Sequence, residues 1–159
     1  MTVAYVGLGA NIGEPRRQLQ AAIEELKGLP DTQLVLASDL YRSAPVGYAD
    51  QPDFLNAVAK LDTALAPEAL LDRLQDIENR HGRERSFAGA PRRLDLDLLL
   101  YGDRVLDTPR LTLPHPRMHE RAFVLAPLSA IAPDAMIPGH GAAAALLAAC
   151  SGQKIERAR

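Results

Sequence analysis

Four segments of the chain have the length and polarity pattern of β-strands. They are short, rich in Val, Leu or Ala with one aromatic residue each, and bounded by glycine, proline or polar clusters. They cover residues 2–10 (TVAYVGLGA), 33–43 (QLVLASDLYRS), 54–65 (FLNAVAKLDTAL) and 94–101 (LDLDLLLY). The first has the apolar character of a buried strand. In the third, apolar and polar residues alternate only in part.

Two segments between these strands carry apolar residues at helical spacing. The first begins near Pro15 and has Leu19, Ala22, Ile23 and Leu26 on one face. The second begins at Pro67 and has Leu70, Leu71, Leu74 and Ile77 on one face. Proline in the first turn is typical of a helix start, and the spacing predicts one apolar stripe per helix. A short helix near 117–126 and an alanine-rich helix near 141–149 are predicted beyond the fourth strand.

The order of these elements is strand, helix, strand, strand, helix, strand. The middle two strands are joined by the loop APVGYADQP (44–52) and not by a helix, so we expect them to pair antiparallel. This order favours an α+β fold, a ferredoxin-like α/β sandwich with a mainly antiparallel sheet. No internal repeat or long linker divides the chain, and residues 1–159 are predicted to form one domain.

Composition narrows the possible partners and the compartment. The 159 residues carry a net charge of −2, with 47% hydrophobic and 24% charged residues, as in ordinary globular proteins. This charge favours neither nucleic acid nor an anionic membrane as partner. There is no transmembrane-length apolar run, the N-terminus lacks the features of a signal peptide, and Cys150 is the one cysteine. These features predict a cytoplasmic protein, and we separately expect it to be a monomer.

The segment GLGANIG (7–13) lies at the first strand-to-helix turn. Its spacing is G-x-G-x-x-x-G, one residue longer than the dinucleotide-binding fingerprint, and an antiparallel middle pair contradicts a Rossmann layout. A tight connection between strand and helix is the favoured interpretation. A dinucleotide-binding oxidoreductase would depend on this segment alone.

The apolar fourth strand contains two carboxylates, Asp95 and Asp97. Residues two apart in a strand share a face, so these side chains would lie roughly 7 Å apart, opposite Leu94, Leu96 and Leu98. A divalent cation such as Mg²⁺ would offset their repulsion and leave room for substrate phosphates. A polar, solvent-facing side of an amphipathic strand would also explain the pattern.

Arginines surround the two aspartates. Five lie between positions 80 and 93, against one acid, and Arg121 follows later; Arg83, Arg85 and Arg92 flank the aspartates. Guanidinium groups bind phosphate oxygens in a bidentate manner. Carboxylates that hold magnesium beside arginines that hold phosphates are typical of phosphoryl transfer from a nucleotide. Each arginine taken alone would more often be a solvated surface charge.

Two further segments contain candidate binding residues. His115, between two prolines in LPHPRMHERAF (113–123), is on a stiff segment and would donate to phosphate or bond locally. Phe54 and Asn56 share a strand face, where a ring and an amide would stack on and recognise a flat heterocycle. Phe54 would otherwise belong to the core.

Together these segments resemble one family, the 6-hydroxymethyl-7,8-dihydropterin pyrophosphokinases of folate synthesis. The resemblance runs over nearly the whole chain, through YVGLGANIG, YRSAPVG, DQPDFLNAV, APRRLDLDLLLYGD and PHPRMHERAFVLAPL. It implies transfer of a diphosphate group from ATP to the hydroxymethyl group of the pterin, with release of AMP.

The resemblance also implies roles for particular residues. Asp95 and Asp97 would hold two Mg²⁺ ions and act with Arg83 and Arg92 in catalysis, and either aspartate would assist as a base. The pterin would contact Ser43, Val46, Phe54, Asn56 and Phe123. ATP would contact Gln75, Glu78, Arg85, Arg92, Leu98, Arg110, Thr112, His115 and Arg121.

One other class has the same predicted fold, the ferredoxin-like RNA-binding modules. Such a module would need stacking aromatic residues on its sheet face and an RNP-type signature. Aromatic residues make up 4% of the chain and no such signature is present, so this alternative is disfavoured.

Overall fold

The computed structural model describes residues 1–45, 50–82 and 93–158. Strands and helices alternate at the start of the chain as the sequence predicts. The elements up to the fourth predicted strand are β1 (Thr2–Ala10), α1 (Pro15–Lys27), β2 (Thr32–Ala37), β3 (Tyr41–Ser43), β4 (Phe54–Thr63), α2 (Pro67–Arg80) and β5 (Asp95–Tyr101). Both helices have proline at the first turn, as expected.

The remainder of the chain adds short strands and two helices. These elements are β6 (Leu106–Asp107), β7 (Thr112–Leu113), a 3₁₀ helix (Met118–Glu120), α3 (Ala122–Ile131), β8 (Met136–Ile137), β9 (Gly141–Ala142), α4 (Ala143–Ala149) and β10 (Ile155–Arg157). The helix predicted near 117–126 is thus a 3₁₀ turn followed by α3. That helix continues past Pro127, the residue before which the prediction ended.

The main sheet of the described residues is antiparallel throughout. Its strands lie in the order β10–β3–β4–β1–β5, and β2 also pairs with β4. The two central strands, β1 and β4, pair along their whole length, from Thr2 opposite Thr63 to Ala10 opposite Leu55. This arrangement confirms the α+β, ferredoxin-like prediction and excludes a doubly wound parallel sheet.

The second predicted strand is divided in the structure. β2 and β3 pair with opposite ends of β4, and residues 38–40 separate them. At the division, the Val58 N–H donates to the hydroxyl of Ser38 at 2.9 Å, in place of a backbone carbonyl. A side chain that takes a place in the hydrogen-bond ladder interrupts the strand, which composition alone does not reveal.

The sheet is covered on both faces. On one face the stripes of α1 and α2, including Leu19, Leu26 and Leu74, pack against β1, β4 and β5. On the other face Leu125 and Leu128 of α3 pack around Val58. The two clusters are separate, and the second face is where the polar residues of β3, β4 and β5 lie.

A β-bulge in β5 determines which face of the sheet each of its side chains lies on. The pairing with β1 passes from Val6 opposite Leu98 to Tyr5 opposite Leu100, which leaves Leu99 as the extra residue. Before the bulge, Leu94, Leu96 and Leu98 pack towards α1 and α2, and after it Leu99 and Leu100 pack towards α3. Asp95 and Asp97 therefore share the second face, as predicted.

Candidate active site

A row of residues crosses four strands on the second face of the sheet. Tyr41 of β3 is opposite Asn56 of β4, Asn56 is opposite Gly9 of β1, and Gly9 is opposite Asp95 of β5. Directly opposed residues of antiparallel strands point to the same face. Since neighbouring strands are about 4.8 Å apart, Asn56 and Asp95 lie roughly 10 Å from each other across Gly9. An amide and a carboxylate thus border a strip of sheet with no side chain.

Gly9 forms the floor between these polar groups. A Cβ atom at Gly9 would lie 3.4 Å from Oδ1 of Asn56 and 3.9 Å from Cδ1 of Phe54. The aromatic ring and the amide therefore both stand beside bare backbone. The tight turn predicted for GLGANIG does not account for this bare strip within β1. The signal was present in the period-two spacing of Gly7 and Gly9 within a strand, which places both on one face.

Asn56 is held by hydrogen bonds that fix its orientation. Its Nδ2 donates to the Ser43 hydroxyl at 2.8 Å and to the Tyr41 carbonyl at 3.3 Å. Asn56 and Ser43 are 3% and 6% exposed. Because both amide hydrogens are occupied, the oxygen Oδ1 faces the floor at Gly9 as an acceptor. A flat ligand with N–H donors on one edge would satisfy it.

The two aspartates of β5 are held by a buried carboxylate behind them. Glu78 of α2 is 2% exposed, and its Oε2 accepts the N–H of Leu96 at 2.8 Å. Leu96 is the residue between Asp95 and Asp97, so the bond fixes the backbone that carries both. Gln75, one turn earlier on α2, is half-buried. Within the ranges that the structure describes, no group of three or more His, Cys, Asp or Glu side chains could hold a metal ion.

His115 lies within the electrostatic influence of Asp95, Arg117 and Arg121. Its backbone N–H donates to the carbonyl of Leu99 at 2.9 Å, which ties it to β5, and its Nδ1 accepts the N–H of Arg117 at 3.2 Å. Burial lowers the pKa of His115 to about 4, helped by the positive charges of Arg121 and Arg117 and opposed by Asp95. The imidazole is therefore neutral near pH 7, with its proton on Nε2.

We expect His115 to make the protein sensitive to acid. Its pKa in the folded chain lies below the ordinary value of 6.5, so the unfolded chain binds the proton more tightly and stability falls as the pH drops below 6.5. About 2 kcal/mol of the unfolding free energy should be lost between pH 7 and pH 5 through this group. Urea unfolding at the two pH values should show this loss in the native sequence and a smaller one in His115→Asn. Equal losses in both proteins would contradict the prediction.

Arg121 and Phe123 lie at the start of α3. Arg121 has an extended backbone (φ −116°, ψ 109°) and precedes the first residue of the helix. Its guanidinium carbon lies 5.4 Å from the centre of the Phe123 ring, which is the geometry of a cation–π contact. α3 covers the face of β4 on which Asn56 and Val58 lie. The second predicted aromatic residue is thus on the same side of the sheet as Phe54.

Three residues predicted to contact ATP lie outside this row. Arg110 forms an exposed ion pair with Asp72 of α2, and the hydrogen bond to this carboxylate raises the pKa of Arg110. Thr112 is in β7, opposite Asp107 of β6. Leu98 is 3% exposed, and its side chain packs in the cluster beneath α1 and α2.

Four of the predicted site residues lie outside the described residues. They are Val46, predicted to contact the pterin, and the arginines Arg83, Arg85 and Arg92. The other predicted site residues are all described, and those on β3, β4 and α3, together with the two aspartates of β5, border one face of the sheet.

Comparison with known proteins identifies the family. The family model for 7,8-dihydro-6-hydroxymethylpterin-pyrophosphokinase (HPPK) matches residues 5–133. The 2-amino-4-hydroxy-6-hydroxymethyldihydropteridine pyrophosphokinase of Pseudomonas aeruginosa is 54% identical over 153 residues, which cover 96% of this chain and 94% of that protein. The enzyme of the same name from Haemophilus influenzae is 49% identical over 138 residues, covering 87% and 86%.

Solved structures support the fold. The wild-type HPPK-DHPS of Plasmodium falciparum with pteroate superimposes with a TM-score of 0.74 at 13% identity, covering 93% of this chain and 42% of the longer one. At this identity the likeness shows the fold alone.

These matches define the class of the protein as a transferase, a kinase of folate synthesis. The chain belongs to the 7,8-dihydro-6-hydroxymethylpterin-pyrophosphokinase family, as its motifs indicated. It transfers a diphosphate group from ATP to the hydroxymethyl group of 6-hydroxymethyl-7,8-dihydropterin. The dinucleotide-binding and RNA-binding alternatives are thereby rejected.

Proposed function

We propose that the transfer takes place above the row formed by Asn56, Gly9 and Asp95. The pterin would lie over the Gly9 floor, with its rings between Phe54 and Phe123 and with its edge against Asn56. The observation that supports this most directly is the bare strip at Gly9, bordered by an oriented amide on one side and a carboxylate on the other. Ser43 would hold the amide in place, and Val46 would add a contact from outside the described residues.

Asp95 and Asp97 would hold two Mg²⁺ ions. The donor set fits this metal, because Mg²⁺ binds through one or two carboxylates and fills its other positions with water and substrate phosphates. Two half-buried carboxylates on one strand face provide those ligands. When bound, Mg²⁺ neutralises phosphate charge and orients the transferring group.

The side chains of the chain would position the two substrates for attack. The pterin hydroxyl would form a bond to the β-phosphorus while the bond from that phosphorus to the oxygen of AMP breaks. Asp97 or Asp95 would take the hydroxyl proton. Arg121 and the neutral Nε2–H of His115 would donate to phosphate oxygens, where charge accumulates during transfer. Arg83, Arg85 and Arg92 would do the same, with Gln75, Arg110, Thr112 and the backbone at Leu98 closer to the nucleoside.

We assign Glu78 to the strand that carries the aspartates and not to direct contact with ATP. Its carboxylate is buried and accepts the Leu96 N–H. Glu78→Ala should leave that N–H without an acceptor, at a cost of about 1–3 kcal/mol in unfolding free energy. It should also lower kcat, because the aspartates lose their support. Glu78→Gln retains an acceptor and should restore most of both quantities, as measured by urea unfolding and steady-state kinetics. Failure of glutamine to restore kcat would favour a role for the negative charge itself.

The enzyme is proposed to act as a monomer in the cytoplasm. The row from Tyr41 to Asp95 is built from one chain, so a second copy is not needed to complete it. ATP, the co-substrate, is supplied in that compartment. Among the described helices none is long and apolar enough to cross a membrane. Sedimentation at working concentration would test the oligomeric state.

The products of the reaction test the proposed chemistry. The purified enzyme with ATP, Mg²⁺ and the reduced hydroxymethylpterin should form AMP and pterin diphosphate in equal amounts. Without the pterin, AMP should not form. Release of ADP would contradict diphosphate transfer. A rate that continues to rise with free Mg²⁺ after ATP is saturated with metal would support the second ion, and an immediate plateau would argue for one.

A further inference from the structure

Gln153, near the C-terminus, makes two hydrogen bonds to the backbone around Arg121. Its Nε2 donates to the carbonyl of Glu120 at 2.7 Å, and its Oε1 accepts the N–H of Ala122 at 2.9 Å. One side-chain amide thus pairs with the peptide groups on both sides of Arg121. Gln153 is not among the residues for which the sequence predicts a role in the site.

This pairing restricts the backbone of Arg121. The torsions φ and ψ of a residue set the angle between the two peptide planes that flank it. Because the Gln153 amide bonds to both planes at once, it holds Arg121 at its observed φ of −116° and ψ of 109°. The direction of the Arg121 Cα–Cβ bond is thereby determined. Oε1 of Gln153 is also the acceptor for the first N–H of α3, that of Ala122. The Arg121 side chain does not cap this end of the helix.

The orientation of Arg121 affects the rest of the site. Its guanidinium is in contact with the Phe123 ring at 5.4 Å. Its charge also lowers the pKa of His115, a group that also responds to the charge of Asp95. Arg121 therefore contacts the aromatic ring and acts electrostatically on the histidine. A change in its backbone would move this charge relative to both.

The segment that carries Gln153 is anchored on both sides. The backbone N–H of Gln153 donates to the carbonyl of Cys150 at 2.9 Å, which joins it to the end of α4. Two residues later, β10 pairs with β3, with Ile155 opposite Ser43. Gln153 is therefore held between α4 and the edge of the sheet that contains Ser43. An amide held in this way is a rigid support, although the side chain itself is exposed.

We propose that Gln153 is a positioning residue that sets Arg121 for the phosphates of ATP. The proposal rests on the proposed role of Arg121 in binding those phosphates. Gln153 would not touch either substrate. It would act through the two peptide groups that flank Arg121, so its contribution should depend on the arginine side chain.

A double-mutant cycle tests this dependence. Gln153→Met removes both hydrogen bonds at similar volume, and it should raise KM for ATP by roughly 10-fold, a tenth of the loss that a misplacement of about 1 Å can cause. KM for the pterin should remain within about twofold. In an Arg121→Ala background, the same change at Gln153 should have no further effect on KM for ATP. Lys154→Met, the same replacement at the next exposed residue, should match the native enzyme.

Each outcome of this experiment decides between positioning and general support. If Gln153→Met raises KM for ATP equally with and without the Arg121 side chain, the residue supports the fold and not the arginine, and the proposal is wrong. An unchanged KM for ATP, or Arg121→Ala kinetics equal to the native enzyme, would also overturn it. If the native enzyme forms no pterin-dependent AMP, the failure belongs to the proposed function.

A second variant, Gln153→Glu, tests the proposal if Gln153→Met folds poorly. Gln153→Glu retains the acceptor for Ala122 and loses the donor to Glu120. The carboxylate oxygen that replaces Nε2 would also repel the Glu120 carbonyl, so KM for ATP should again rise, and again only when Arg121 is present. Thermal unfolding of every variant measures its loss of stability, which is then compared with its change in KM for ATP. A Gln153→Glu effect that persists in the Arg121→Ala background would reject the proposal.

Discussion

Replacing Asp97 by asparagine should reduce kcat by roughly 10³-fold, since loss of metal binding would remove several kcal/mol of charge stabilisation in the transferring group. Asparagine has the same shape and retains one acceptor oxygen, so the fold should be preserved. Asp95→Asn should behave similarly, because both carboxylates lie on one face of β5. Pterin-dependent AMP formation at saturating substrates measures the effect.

A matched control is available on the same sheet. Asp62 of β4 lies six residues from Asn56 along the strand, which is roughly 20 Å from the row above Gly9. Asp62→Asn should leave kcat unchanged. Raising Mg²⁺ should recover part of the activity of Asp97→Asn if the loss is one of metal affinity. Retention of a tenth or more of kcat in both aspartate variants would exclude them as the metal ligands.

Adding one methyl group at Gly9 should reduce kcat/KM for the pterin by roughly 10²-fold, the loss that a misplacement of about 1 Å can cause. The new Cβ would lie 3.4 Å from Oδ1 of Asn56, an ordinary contact, so the fold can accept it. Gly9 does not have a positive φ, so alanine adds no backbone strain there. The methyl group would instead occupy the floor on which the pterin ring is proposed to lie. KM for ATP should change little.

Gly7→Ala provides the comparison. Gly7 lies two residues earlier on the same strand and face, and a Cβ there would also lie 3.4 Å from its nearest neighbour. That neighbour is Leu99, which packs in the apolar cluster beneath α3. Both variants therefore add one methyl group at 3.4 Å from its nearest neighbour, which is the Asn56 amide at Gly9 and the Leu99 side chain at Gly7. Equal kinetic effects would show that the loss comes from distortion of β1 and not from the floor.

The sequence predicted the sheet well because its strands differ clearly from its helices in period. The apolar stripes of α1 and α2 and the alternation of Asp95 and Asp97 with leucines required only the two elementary repeats. The division between β2 and β3 was not predictable in this way. It depends on the Ser38 hydroxyl and its bond to Val58, a residue twenty positions away. A hydrogen bond between residues far apart in the sequence produces no repeating pattern of residue types from which it could be predicted.

The site shows the same contrast. Phe54, Asn56 and the two aspartates lie on one face of the sheet, as their period-two spacing predicted. Gly9 was missed as a floor because glycine in a strand has no side chain to suggest a contact, and its role follows only from the register with Asn56 and Asp95. Gln153 was missed because its partners are backbone groups. A residue that acts on backbone can be recognised only when the fold brings the two segments together.

The bulge at Leu99 makes the place of a deletion in β5 as important as its residue types. Side chains alternate with a period of two, so removal of one residue from a regular part of the strand exchanges the faces of everything on one side of the deletion. Deletion of Leu96 would make Asp95 and Asp97 adjacent and place them on opposite faces, whereas deletion of Leu99 would remove the bulge and leave Asp95, Asp97 and Tyr101 on their present faces. Replacement of Leu99 by another aliphatic residue preserves the parity. In a library of variants, β5 should therefore accept both substitution and deletion of Leu99 and reject deletion of Leu96.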